Sequence, residues 1–93
     1  MEPNQNIEAS FSTLVISIGS TAVMSLGLAP NPHTGKTEKD MSVAKFNIDL
    51  LLTLQEKTKG NLVDDEAKLL DHVINDLQMK FVSEKKAENT IKN

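Results

Sequence analysis

Three places in this sequence hold residues that could do chemistry. Pro30 to Thr37 reads P-N-P-H-T-G-K-T, the phosphate-cradling G-x-x-x-x-G-K-[ST] pattern with proline at the first glycine. Asp64, Asp65 and Glu66 form a run of three carboxylates, and His72 and Asp76 stand one helical turn apart, a spacing at which two side chains can share a divalent metal. None of the three is complete. A phosphate loop needs flexible glycines that turn successive N–H groups toward the anion, and a preceding strand; here two prolines have no N–H to give, and the segment before them has a helical pattern. Consecutive helical residues point in different directions, and no turn glycine or further carboxylate follows Glu66 at calcium-loop spacing. His72 and Asp76 lack a third and fourth ligand, and His33 reads as a solvated loop residue.

The wider inventory points the same way. There is no Cys, Tyr or Trp, which removes disulfides, thiol chemistry and thiolate metal sites. Ten lysines with no arginine and a net charge of −3 argue against nucleic acid, since Arg is the preferred reader of phosphate and guanine. The expectation is no catalytic residue, no cofactor and no metal site: a non-enzymatic protein.

The element that organises the chain is Phe11 to Leu28, eighteen residues without a charge or a proline. Phe11, Leu14, Val15, Ile18, Ala22 and Leu26 follow the rhythm of one buried stripe, but Ile16, Val23 and Met24 lie outside it. The remaining ridge carries Thr13, Ser17, Thr21 and Ser25, four apart, beside Gly19, and small residues in such a row let another helix approach closely. Burial on nearly all sides is expected. A membrane would supply it, and the stretch just reaches the roughly 17 to 25 residues of a span; yet six of the eighteen are Ser or Thr, no Lys precedes Lys36, and no Trp or Tyr is present to mark an interface. Glu2 and Glu8 stand where a signal peptide would be basic. Protein is the favoured cover, with a membrane-associated protein anchored by 11–28 as the alternative.

Ser10 is the candidate N-cap of the first helix, and Gly27 followed by Pro30 its stop. The second helix is expected over about 38–59, with Thr37 and Asp40 resembling a capping box and Gly60 ending it. Its polar stripe is Ser42, Lys45, Asp49, Thr53 and Glu56; Val43, Ala44, Phe46, Ile48, Leu50, Leu51, Leu52 and Leu54 span more than half the circumference. The third is expected over about 64–82, its apolar stripe Ala67, Leu70, Val73, Ile74, Leu77 and Phe81, with Asp64–Lys68 and Asp76–Lys80 as i, i+4 pairs. A flexible 1–9, a single domain over 10–82 and a frayed polar tail over 83–93 complete the expectation.

The run F-S-T-L-V-I-S-I-G-S-T-A from Phe11, then L-G-L-A-P, H-T-G-K, I-D-L-L-L-T-L-Q-E-K-T-K-G-N-L from Ile48, and E-A-K-L-L to D-L-Q-M-K-F ending at Phe81, resembles a family of short bacterial proteins known only as a domain of unknown function. The resemblance covers about residues 11 to 82. It implies bacterial origin and a small helical fold, and brings no activity, cofactor or site residue. Val63 departs from the hydroxyl or acidic residue usual there, so Asp64 is the alternative N-cap of the third helix.

The sequence thus predicts an all-α, three-helix small domain completed by homo-oligomerisation. Helices two and three form a hairpin, and helix one pairs with its own copy through Phe11, Leu14, Thr13, Ser17, Ile18, Gly19, Thr21 and Ala22. The expected role is an oligomerising or protein-interaction module in the cytoplasm, with itself and an unidentified protein as partners.

Overall fold

The computed structural model describes residues 8–92, with side chains through residue 88. The expectation of a loose 1–9 therefore falls outside the described residues except for Glu8 and Ala9. Three helices make up the fold: α1 (Phe11–Ser25), α2 (Met41–Lys57) and α3 (Asp64–Lys92). Among the described residues the only β pairing is the antiparallel bridge Leu26–Lys39, so the all-α reading holds.

α1 begins and ends on the residues that its sequence offers. Ser10 is the N-cap, its hydroxyl accepting from the Thr13 N–H at 3.1 Å. At the other end Gly27 takes φ 79°, a conformation that side chains resist, and donates to Met24 O, while Leu28 donates back to Val23 O. This is a Schellman closure, with the two backward bonds satisfying carbonyls that the last turn leaves open. A Cβ at Gly27 would lie 3.2 Å from that of Lys39, so glycine also lets the chain close onto the bridge.

α2 starts three residues later than expected. Asp40 itself is the cap, in extended conformation, its carboxylate accepting from the Ser42 and Val43 N–H groups and the Ser42 hydroxyl. Residue 39 pairs with Leu26 and the Asp40 N–H reaches Ser25 O at 2.8 Å. A strand-like pairing fixes extended backbone there, and residues so held cannot join a helix. The bridge also sets α1 and α2 antiparallel.

α3 differs most. Its first turn is capped from the wrong side: Val63 occupies the N-cap position, accepting from Ala67 N–H through its carbonyl, and Glu66 reaches back to the Val63 N–H at 3.1 Å. That is half of a capping box, the half that a hydrophobic N-cap residue can still take part in; Asp64 is the first helical residue. The helix then runs through Lys92, ten residues past the expected end at 82. Residues 83–92 are polar but contain no Gly or Pro, and loss of apolar period removes a packing face without breaking a helix rich in Lys, Glu and Ala. Lys39 also pins the extension through a 2.8 Å ion pair with Glu84. Of the expected pairs, Asp76–Lys80 forms at 2.6 Å, whereas Asp64–Lys68 is not made among the described residues.

The core takes three residues from each segment: Val15, Ala22 and Leu26; Ala44, Ile48 and Leu51; Leu70, Ile74 and Leu77. Phe11, Ile18, Leu54, Val73 and Phe81 are half-buried around it. Burial at positions three, four and seven apart is the helical period at work. Gly19 is buried because α3 comes so close that a Cβ there would lie 3.2 Å from Val73 Cγ1.

Candidate functional site

The loop between α1 and α2 is folded onto itself. Asn31 accepts the His33 N–H on its side-chain oxygen at 2.7 Å and the Gly35 N–H on its carbonyl at 2.7 Å, and donates its own N–H to Lys36 O. The Lys36 N–H is taken by the Thr34 hydroxyl. A phosphate cradle needs those N–H groups pointing outward together; here they close Asx and ST turns instead. Beside the loop, Asp40 is held below the ordinary carboxylate value, first by the Ser42 hydroxyl and then by the Val43 N–H.

The acidic residues are spread over solvent. Asp64 and Asp65 are exposed and Glu66 is engaged with Val63. His72 and Asp76 are exposed on α3, and both carboxylate oxygens of Asp76 accept from Lys80. Among the described residues no three of His, Asp and Glu come together as a metal-holding group. His72 and Asp76 do stand at the rim of an open groove of about 540 Å³ between α1 and α3, floored by Gly19, Val73 and Leu77 and walled by Pro30 and Pro32.

The eight residues expected at an oligomer interface divide. Gly19 and Ala22 are buried inside the chain, against α3 and the core. Phe11, Thr13 and Ile18 are half-buried; Leu14, Ser17 and Thr21 are exposed. Of the hydroxyl ridge, Thr13 and Ser25 are half-buried while Ser17 and Thr21 are exposed, and Thr21 and Ser25 donate back to Ser17 O and Thr21 O within α1. Burial of α1 on nearly all sides is therefore not achieved within one chain. Nor could α1 cross a bilayer. At about 1.5 Å per residue its fifteen residues reach roughly 22 Å against a hydrocarbon core of about 30 Å, and among the described residues no helix is long and apolar enough for a span.

What the sequence reading missed lies on α2. Val43, Phe46 and Leu50 recur at i, i+3 and i+7, a second stripe beside the buried one of Ala44, Ile48 and Leu51. Val43 is exposed, Phe46 is 60% exposed and Leu50 half-buried. Thr21, Ser25 and Val43 line one cleft where the two helices meet, together with Glu38 and Asp40. Seven residues back from Thr21 is Leu14, and seven on from Val43 is Leu50; in antiparallel helices both steps cover about 10 Å in the same direction. Thr21 and Val43 thus meet at that cleft, and Leu14 and Ser17 on α1 and Phe46 and Leu50 on α2 are the exposed or half-buried residues that continue from it along each helix. The spacing was visible in the sequence, but eight apolar residues around α2 concealed which of two stripes would be covered.

Comparison with curated proteins and with solved structures gives no match. One family model does match, over residues 8–83, a stretch that takes in α1, the folded loop, α2 and the packed part of α3. The chain belongs to the family described as Domain of unknown function (DUF1844).

Proposed function

We propose that this protein is a non-enzymatic protein-interaction module and that the outward face of α1 and α2 is its contact surface. The observation that carries the reading is Phe46. Of three aromatic side chains, Phe11 and Phe81 pack against the core and Phe46 projects into water at 60% exposure. A phenylalanine side chain offers roughly 200 Å² of surface, so about 120 Å² of apolar ring stays wet, worth on the order of 3 kcal/mol if covered. An exposed aromatic with Val43 and Leu50 at i−3 and i+4 and with Ser42 and Asp49 at i−4 and i+3 has the make-up of an interface centre, an apolar anchor within a polar margin. Catalysis has no comparable support: the ionisable side chains are distributed over exposed helix faces and caps.

The test places a photo-crosslinking amino acid at position 46, and in a second protein at position 56 on the polar stripe, in the cells that make the protein. A discrete adduct at 46 and none at 56 is expected. No adduct at 46, or equal adducts at both, refutes the contact surface.

A further inference from the structure

Resting on that surface being the contact site, we propose that its occupant is a basic amphipathic segment of another protein, with an apolar side chain covering Phe46 and an Arg or Lys one turn away entering the cleft between α1 and α2. The cleft adjoins Phe46, because Val43 belongs to its wall and stands one turn before Phe46 on α2. Its volume is about 160 Å³, and Met24 and Val43 give it apolar walls along which the methylene stem of a long basic side chain can lie.

The polar edge of the cleft consists almost wholly of acceptors. Glu38 and Asp40 line it and no lysine does. The three bonds that Asp40 accepts, from the Ser42 N–H, the Ser42 hydroxyl and the Val43 N–H, all end on Oδ1, so capping α2 leaves Oδ2 unengaged. Glu38 is exposed and takes part in none of the ion pairs Lys39–Glu84, Lys45–Asp49 and Lys80–Asp76. Thr21 and Ser25 would ordinarily present a donor each, but their hydroxyl hydrogens are directed at Ser17 O and Thr21 O, and only lone pairs remain. Asn31 has its side-chain oxygen on the His33 N–H, and its amide is the one side-chain donor left among the residues that line the cleft.

Nearby cations do not offset these carboxylates. Lys39 is drawn toward α3 by Glu84 at 2.8 Å, and Lys45 is held by Asp49 at 2.9 Å. The complement of the cleft is therefore a group that only donates, carries positive charge and brings an apolar stem, a description that fits Arg and Lys. An acidic occupant would set its oxygens against oxygens and like charge against like. Position supplies the rest. Phe46 is 60% exposed, with Val43 and Leu50 at i−3 and i+4, so an apolar strip runs on from the cleft along α2. A helical segment with an apolar and a basic residue one turn apart meets both features at once.

The probes are two short fluorescent helical peptides with leucine along one side, alike except that one carries arginine where the other carries glutamate. Each is titrated against the full chain at low salt and read by anisotropy. The arginine peptide should bind at least about tenfold more tightly than its counterpart. Glu38→Gln with Asp40→Asn should weaken it about tenfold, as should Phe46→Ser. Asp65→Asn with Asp71→Asn, the same loss of charge at exposed positions of α3, should leave its affinity unchanged. Glu38→Gln alone, in the exposed loop, carries the test if the double variant loses its helical circular dichroism. No binding of the arginine peptide, equal affinity for the two peptides, or a loss from the α3 pair as large as from the cleft pair each overturns the proposal. Any of these results alongside an adduct at position 46 in cells would refute the basic partner and leave the contact surface standing; absence of that adduct refutes the surface, and this proposal with it.

Discussion

Substituting Gly19 tests how α1 meets α3. Gly19 sits mid-helix, where alanine would ordinarily stabilise by about 1 kcal/mol through lower backbone entropy in the unfolded chain. Its Cβ, however, would lie 3.2 Å from Val73 Cγ1, with Leu77 Cδ1 at 3.9 Å. Val73 cannot turn away freely, because a β-branched side chain in a helix is held in one rotamer about 90% of the time. The neighbours must shift instead, and overpacking of this kind costs about 1 to 3 kcal/mol. Gly19→Ala is therefore expected to be destabilising in the native background and stabilising by about 1 kcal/mol once Val73→Ala has removed the obstructing methyl groups. The coupling between the two substitutions should be at least about 1 kcal/mol, well outside the roughly 0.3 to 0.5 within which independent sites add. Urea unfolding of the four proteins, followed by circular dichroism at one fixed protein concentration, would read this as a midpoint difference of roughly 1 M, since domains this small lose about 1 kcal/mol per molar urea. If Gly19→Ala raises the midpoint equally in the native and in the Val73→Ala background, the glycine is not there for close approach, and the close packing of α1 on α3 is wrong.

Two further outcomes follow from the caps. Val63→Ser supplies the missing half of the α3 capping box opposite Glu66 while removing a side chain that is 64% exposed; it should raise stability by about 1 kcal/mol, and a gain that persists undiminished in Glu66→Ala would argue against the reciprocal box. Asp40 has a carboxyl pKa lowered from 3.8 by its bonds to Ser42 and Val43, so its contribution is complete above the unfolded value and is lost as pH falls from about 3.8 through the lower folded value. Asp40→Asn keeps an acceptor at the N-cap but cannot titrate, and its melting temperature should fall less steeply between about pH 5 and 2.5; parallel curves would remove Asp40 from the acid response.

The sequence by itself determined the parts that depend on neighbours along the chain. Ser10, Gly27 and Gly60 mark helix ends because capping and left-handed turns are settled by a residue and the few beside it. The periods of α1, α2 and α3 are local in the same sense, as is the failure of the Pro30–Thr37 string to be a phosphate loop. Tertiary structure decided three other matters. Where α2 begins was fixed by Lys39, held extended against Leu26 from the other side of a loop. How far α3 continues followed partly from Glu84 finding Lys39, forty-five positions away. Which apolar residues stay in water was decided by packing. A helix with apolar residues around more than half its surface can turn either stripe inward, and only packing with α1 and α3 committed Ala44, Ile48 and Leu51 to the core. Phe46 was left outside because a single small three-helix chain cannot enclose every apolar side of two of its helices.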